Sequence, residues 1–117
     1  MNRKFQLLYL IEQYCYGQYD TTTFSSQMER IYYIEKDDSL SQEDMEILAP
    51  LAHCAEYFSP YQEDCEQYKG FTNEDTVKKT AEEAYRKLLC HYKMDSFDEL
   101  IKQSIEEEIL TETETCQ

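Results

Sequence analysis

Two Cys–His neighbours, His53–Cys54 and Cys90–His91, are the side chains of this sequence best suited to hold a metal or arm a nucleophile. Adjacent residues on a helix project about 100° apart, so neither pair is a chelate by itself. A zinc site would need both pairs to converge with tetrahedral geometry. A catalytic thiol needs surroundings that stabilise its thiolate, and nothing near either cysteine marks such a place. The simpler reading is two small core thiols beside two partly exposed imidazoles. Carboxylates also occur in pairs and runs, at Glu63–Asp64 and from Glu106 to Glu108. Acid–base chemistry needs environments that push two pKa values apart, which solvated charge runs do not supply. No dinucleotide, P-loop, nucleophile-elbow, zincin or EF-hand pattern is present. With two glycines in the whole chain, a loop that cradles phosphate is excluded. The expectation is a protein that is not an enzyme and uses no metal or cofactor.

Charge narrows the partners. The chain has 25 acidic and 11 basic residues among 117, a formal charge of −14. Phosphate binding needs clustered Lys and Arg, so direct contact with nucleic acid is not expected. The charge favours a basic protein partner, or simply high solubility. Residues 41–70 carry seven acids and one base, and residues 95–117 carry eight acids and one base. The negative charge is thus gathered in two segments. The longest apolar run, LLYLI, is far too short to cross a bilayer, and no leader pattern precedes it. Five cysteines without C-x-x-C spacing fit reduced thiols in a cytoplasm.

The elements that must position these groups are helical. In residues 3–16, Phe5, Leu8, Ile11 and Cys15 form a stripe flanked by Leu7, Leu10 and Tyr14, which predicts a helix covered on most of its surface. Gly17 suits the left-handed residue after it. Capping oxygens from Asp20 to Thr23 open a second helix over 22–36, with Phe24, Met28, Ile31 and Tyr32 inward. Ser41 caps a third, with Glu43 and Asp44 in its first turn and Met45, Leu48, Ala52, Ala55 and Phe58 buried. Pro50 either kinks this helix or begins a new one. Thr72 or Asn73 caps a fourth, running to about Tyr92 on a stripe of Val77, Ala81, Ala84, Leu88 and Tyr92. Ser96 and Glu99 form a capping box for a last helix with Phe97, Ile101, Ile105 and Ile109 inward. The polar tail of residues 111–117 follows. The fold class is all-α, a compact single-domain bundle of about five helices.

Between the third and fourth helices lies YFSPYQEDCEQYKGFTNED, residues 57–75. It is rich in carboxylates and phenols and has little to bury. Of the eleven tyrosines, Tyr9, Tyr14, Tyr32, Tyr85 and Tyr92 fall on or beside helical stripes and are expected in the core. Tyr57, Tyr61 and Tyr68 fall around the acidic connection. Tyrosine gives an interface large rigid area and a hydroxyl at small entropic cost. A solvated loop pinned by one tyrosine is the plainer alternative.

The order of these features resembles the colicin D immunity type of small helical bacterial immunity protein, whose relatives guard contact-dependent inhibition systems. The resemblance spans residues 5–92. It rests on the broad apolar first helix, the GQYDTTTF step into a Phe-led second helix, and the acid-capped third helix ending in FSP. The acidic connection and a capped helix closing on RKLL complete it. It implies a cytoplasmic protein, monomeric outside its complex, that binds a secreted basic nuclease toxin domain, often one that cleaves tRNA. Acidic groups would cover the toxin's active site in place of RNA phosphates. The matching acids around FSPYQEDCEQY are Glu56, Glu63, Asp64 and Glu66; with Tyr57, Tyr61 and Tyr68 they make up the expected toxin-binding face. The last helix, 97–110, extends beyond that pattern and is the more acidic segment. A non-catalytic acidic helical adaptor or regulatory module is the alternative from another functional class.

Overall fold

Helix caps and apolar stripes account for most of the architecture in a computed structural model, which describes residues 3–35, 37–67, 69–98 and 101–102. Helix α1, Arg3–Cys15, buries Leu7, Leu8, Leu10, Ile11 and Tyr14. A side chain buried around that much of one helix needs neighbours on several sides. The chain turns at Gly17, whose φ of 82° costs a residue without Cβ very little. Asp20 then accepts the Thr23 N–H at 2.7 Å and opens α2, Thr21–Glu29.

The second helix does not continue to residue 36 in α-geometry. From Arg30 to Ile34 it widens into a π-helical turn, closed by the Glu35 N–H donating to the Arg30 carbonyl at 2.9 Å. An i→i+5 turn sets residues five apart near one another, and Arg30 pairs through its side chain with Glu35. Ile31 and Tyr32 are buried as expected, whereas Tyr33 and Ile34 are carried outward.

Helix α3, Gln42–Glu56, begins with a reciprocal capping box. Asp44 N–H donates to Ser41 Oγ, and Ser41 N–H donates to Asp44 Oδ2, both at 3.1 Å. Pro50 neither breaks the helix nor starts another; it lies inside it, exposed, so the Glu46 carbonyl that loses its donor belongs to an outer turn. Leu51, rather than Met45, joins Leu48, Ala52 and Ala55 in the core. Phe58 is half-buried beyond the helix end.

The connection of residues 57–75 is not a plain loop, because it holds a short helix α4, Gln62–Gln67. Asn73 then caps α5, Glu74–Tyr92, by accepting the Thr76 N–H at 2.9 Å. Of its expected stripe Val77, Ala81, Ala84 and Leu88 are buried and Tyr92 is half-buried. Lys93 ends it in the left-handed conformation with φ 56°, where the Met94 N–H donates to the Leu89 carbonyl.

Helix α5 packs on α3 and α1, and α2 packs on α3 and α1. The result is an all-α compact bundle of five α-helices among the described residues. Phe97 and Ile101 are buried against it, while Glu99, Ile105 and Ile109 of the expected last helix lie outside the described residues. No described helix is long and apolar enough to cross a membrane. Tyr14 and Tyr32 are core residues, and Tyr85 and Tyr92 pack against the core half-buried. Tyr9 corrects the expectation: it is 40% exposed, because α1 is covered on most of its circumference but not on that side. Cys90 is also exposed rather than a core thiol.

Candidate functional site

Two backbone hydrogen bonds make the acidic connection a closed excursion. The Thr72 N–H donates to the Tyr57 carbonyl at 2.9 Å, and the Ser59 N–H donates to the Thr72 carbonyl at 3.1 Å. They pair Phe58 with Thr72 in an isolated parallel bridge, and Thr72 Oγ1 donates to the Cys54 carbonyl at 2.7 Å. A six-residue helix is too short to stand alone in water. Helix α4 buries no residue, so this bridge and the turn before it hold it in place.

That turn is organised by Ser59, only 6% exposed. Its hydroxyl donates to Asp64 Oδ2 at 2.7 Å and accepts the Tyr61 N–H at 3.2 Å. Asp64 is therefore half-buried, with one oxygen engaged inside the turn. Glu63 and Glu66 are exposed on the same helix, and Gln62 Nε2 donates to Glu66 Oε1 at 2.8 Å. Acids in a first helical turn suit the helix dipole, which accounts locally for Glu63 and Asp64.

The tyrosines of the connection are outward. Tyr61 is 68% exposed and Tyr57, the residue closing α3, is 41% exposed. The Tyr57 ring lies 4.9 Å from that of His53. Glu56 is exposed; partial burial, then the Glu56 carboxylate, push the Tyr33 phenol above its ordinary pKa. Glu56, Tyr57, Tyr61, Glu63 and Glu66 thus occupy one exposed stretch of chain, with Asp64 set back from them. Tyr68 lies outside the described residues, as do Glu106 to Glu108.

Helix α4 stands between two depressions. One, of about 510 Å³, is lined by residues from Pro60 to Glu63 and by Glu66. The other, a cleft of about 640 Å³, is bounded by Phe58–Pro60 and by α4 through Gln62, Cys65 and Glu66. The starts of α2 and α5 supply its remaining walls, with Asp20, Glu74 and Asp75. These three acids face the cleft with Glu66, although sequence reasoning gave Asp20 only a capping role and passed over the other two. About fifty residues separate Asp20 from Glu74, and only the join between the two helix starts brings them together. Thr21 Oγ1 makes it, donating to Glu74 Oε1 at 3.0 Å and sharing a hydrogen bond with Tyr14.

Hydrogen bonding holds two of these carboxyls below their ordinary pKa values. Asp20 is lowered by the Thr23 N–H, and Glu74 by Thr21 and then Lys78. Both stay anionic into mild acid, so the cleft favours a cationic group. Among the described residues no group of three or more His, Cys, Asp or Glu side chains has the arrangement of a metal site. His91 Nε2 lies 3.4 Å from Glu43, and Cys54 Sγ lies 3.6 Å from Thr80 Oγ1. The two Cys–His pairs therefore have separate neighbours.

Compared with protein-family models, with curated proteins and with solved structures, the chain matches none.

Proposed function

We propose that this protein is an immunity protein that binds a basic nuclease toxin domain, an RNase or tRNase, and covers its active site with the acidic edge formed by the end of α3 and by α4. The observation that carries this reading is the exposure of tyrosines and carboxylates together. Tyr57 and Tyr61 remain open to solvent beside Glu56, Glu63 and Glu66. Exposed phenols supply contact area, and carboxylates compete for the Lys, Arg and His that a nuclease uses on phosphate. Opposite surface fields also raise association rates by about 10–10³-fold, which suits capture of a newly arrived toxin. The protein works in the cytoplasm, as a monomer outside the complex, without catalysis, cofactor, membrane or direct nucleic-acid contact.

Co-expression with the product of the adjacent upstream gene, followed by purification and an RNA-cleavage assay, tests the reading. A stable complex with suppressed cleavage is expected. A complex whose cleavage is undiminished would instead point to an acidic helical adaptor, and no complex would remove the reading.

A further inference from the structure

A cleft of about 300 Å³ lies between α1 and α2. The buried side chains of Leu10 and Ile31 form its floor, and Tyr9 and Tyr19 line its sides. Tyr9 is exposed on α1 because it borders this cleft and not a neighbouring helix. Gln27 and Arg30 stand at the rim. Gln27 Oε1 accepts from Arg30 Nε at 3.1 Å and from Nη2 at 2.5 Å, which holds the guanidinium in place and turns the Gln27 amide nitrogen the other way. Among the described residues that nitrogen donates to none, although an amide carries two N–H groups. Arg30 Nη1 pairs with Glu35, and Glu35 is shared with Arg3 Nη2 at 3.7 Å. Asp37 accepts the Arg3 backbone N–H and does not meet Arg30. No Asp or Glu lines the cleft. Three other depressions each have a carboxylate in their walls, Glu66 in two of them and Glu82 in the third.

We propose that this cleft binds a small molecule made of one aromatic ring and a carboxylate or similar oxyanion. The ring lies on Leu10 and Ile31 between the two tyrosines, which meet it edge-on or offset as aromatic pairs prefer. The oxyanion accepts from Arg30 and from the Gln27 amide. Volume sets the size. Ligand sites run from about 300 to 1,000 Å³, so a cleft at the lower bound takes a single ring and not a nucleotide. The rim sets the sign of charge. Its charged group is a guanidinium, whose planar fork suits a carboxylate, and charge-assisted hydrogen bonds are about twice as strong as neutral ones. A cationic ligand would find no carboxylate in the lining and would be repelled by Arg30. The formal charge of −14 acts weakly here, because a Debye length of about 8 Å at physiological salt screens the distant acids. None of the lining residues belongs to the acidic edge of α3 and α4, so the inference stands apart from the immunity reading.

NMR titration of the whole chain with benzoate, benzyl alcohol and benzylammonium at matched ionic strength tests it, with one ring in three charge states. Benzoate is expected to shift the amides of Tyr9, Leu10, Gln27 and Arg30 saturably. It should bind about fivefold or more tightly than benzyl alcohol, with benzylammonium the weakest. Arg30→Gln should bring benzoate to within about twofold of benzyl alcohol, and Tyr9→Ala should weaken both by about threefold or more. Lys79→Gln, which removes an exposed cation elsewhere on the surface, should leave both within about twofold. Urea denaturation checks that each variant is folded, and the ranking of the three compounds on the unaltered protein decides the matter where one is not. Equal affinity for the three compounds, a preference for benzylammonium, or shifts centred outside the cleft would each overturn the site. Shifts that never saturate would do the same, marking adventitious contact only, as would a preference for benzoate that survives Arg30→Gln. Each of these failures leaves the immunity reading untouched, because that reading is tested by complex formation through α4.

Discussion

Glu12 on α1 and Phe97, 85 positions later, are joined through the centre of the molecule: the Phe97 N–H donates to Glu12 Oε1 at 3.0 Å. The same oxygen accepts from the Tyr85 hydroxyl at 2.7 Å and from Ser96 Oγ at 2.9 Å. Glu12 is fully buried, and its other oxygen has no hydrogen-bond partner among the described residues. Burial, then Tyr16 and Glu12, push the Tyr85 phenol well above its ordinary range, which keeps that hydroxyl a donor. One carboxylate therefore fastens the segment after α5 onto α1. Glu12→Ala should cost about 1.5–3 kcal/mol, the usual worth of hydrogen bonds to a charged group. Combined with Tyr85→Phe, it should show a coupling of about 0.5–3 kcal/mol in a double-mutant cycle by urea denaturation. Additive losses would mean that the two side chains do not act as one unit.

The core and the acidic edge should respond to substitution very differently. Leu88 is fully buried on α5, and Leu88→Ala should destabilise by about 2–5 kcal/mol through lost contacts and a residual cavity. Ile101→Ala should fall in the same range, since Ile101 is 6% exposed. Glu63 is exposed, and Glu63→Ala should move stability by no more than about 0.5 kcal/mol. Chemical denaturation compares all three, and equal effects would contradict the packing.

Complex formation should separate into steering and anchoring. Reversing Glu63 and Glu66 to lysine should mainly slow association with the basic nuclease and flatten its salt dependence, because rim charges act on encounter. Tyr61→Ala should instead speed dissociation, by about 2 kcal/mol or more if its ring is an anchor. Asp64→Asn belongs to neither class, since Asp64 is held by Ser59 and the substitution should disturb the turn. Stopped-flow binding at several salt concentrations distinguishes these outcomes. An unchanged association rate after the double reversal would move the binding face away from α4.

Acid should expose the contribution of Asp44. Burial acts to raise its pKa but is outweighed by the Tyr92 hydroxyl, the Ser41 N–H and hydroxyl, and Lys4, so the carboxyl lies below its ordinary value of 3.8. Because the folded pKa is the lower one, the stabilisation is complete above the unfolded value and vanishes as pH falls through the folded value. The stability gap between the native sequence and Asp44→Asn should be widest near neutral pH and close below about pH 4. Taking the difference removes the general effect of neutralising a −14 chain. A gap that stays constant from pH 7 to pH 3 would refute the assignment.

Thiol chemistry should follow burial. Desolvation, then Glu82 and Glu12, push the Cys15 thiol up to about 11, whereas Cys90 is exposed. Since the thiolate is the nucleophile, iodoacetamide at pH 8 should modify Cys90 readily and leave Cys15 largely intact until the protein unfolds. Peptide mapping by mass spectrometry reads both sites in one experiment.

The amino-acid sequence by itself determined what is local. Asp20, Ser41 and Asn73 are among the capping residues that the sequence offers, and the side chain of each accepts an N–H three residues on, while the stripe of Val77, Ala81, Ala84 and Leu88 follows from helical spacing alone. The acidic, tyrosine-bearing character of the connection after α3 was equally legible. What the tertiary structure decided is which sector of each helix meets a neighbour. Periodicity cannot say that α1 hides the charged Glu12 and shows Tyr9, because both lie on a helix apolar almost all round. Nor does spacing reveal that Phe58 and Thr72 pair to create α4 and draw Asp64 inward, or that two helix starts about fifty residues apart bring Asp20 and Glu74 to one cleft. Local rules act over a turn or two of chain, whereas burial and long-range hydrogen bonds depend on how separate helices dock, a property that no single stretch of sequence contains.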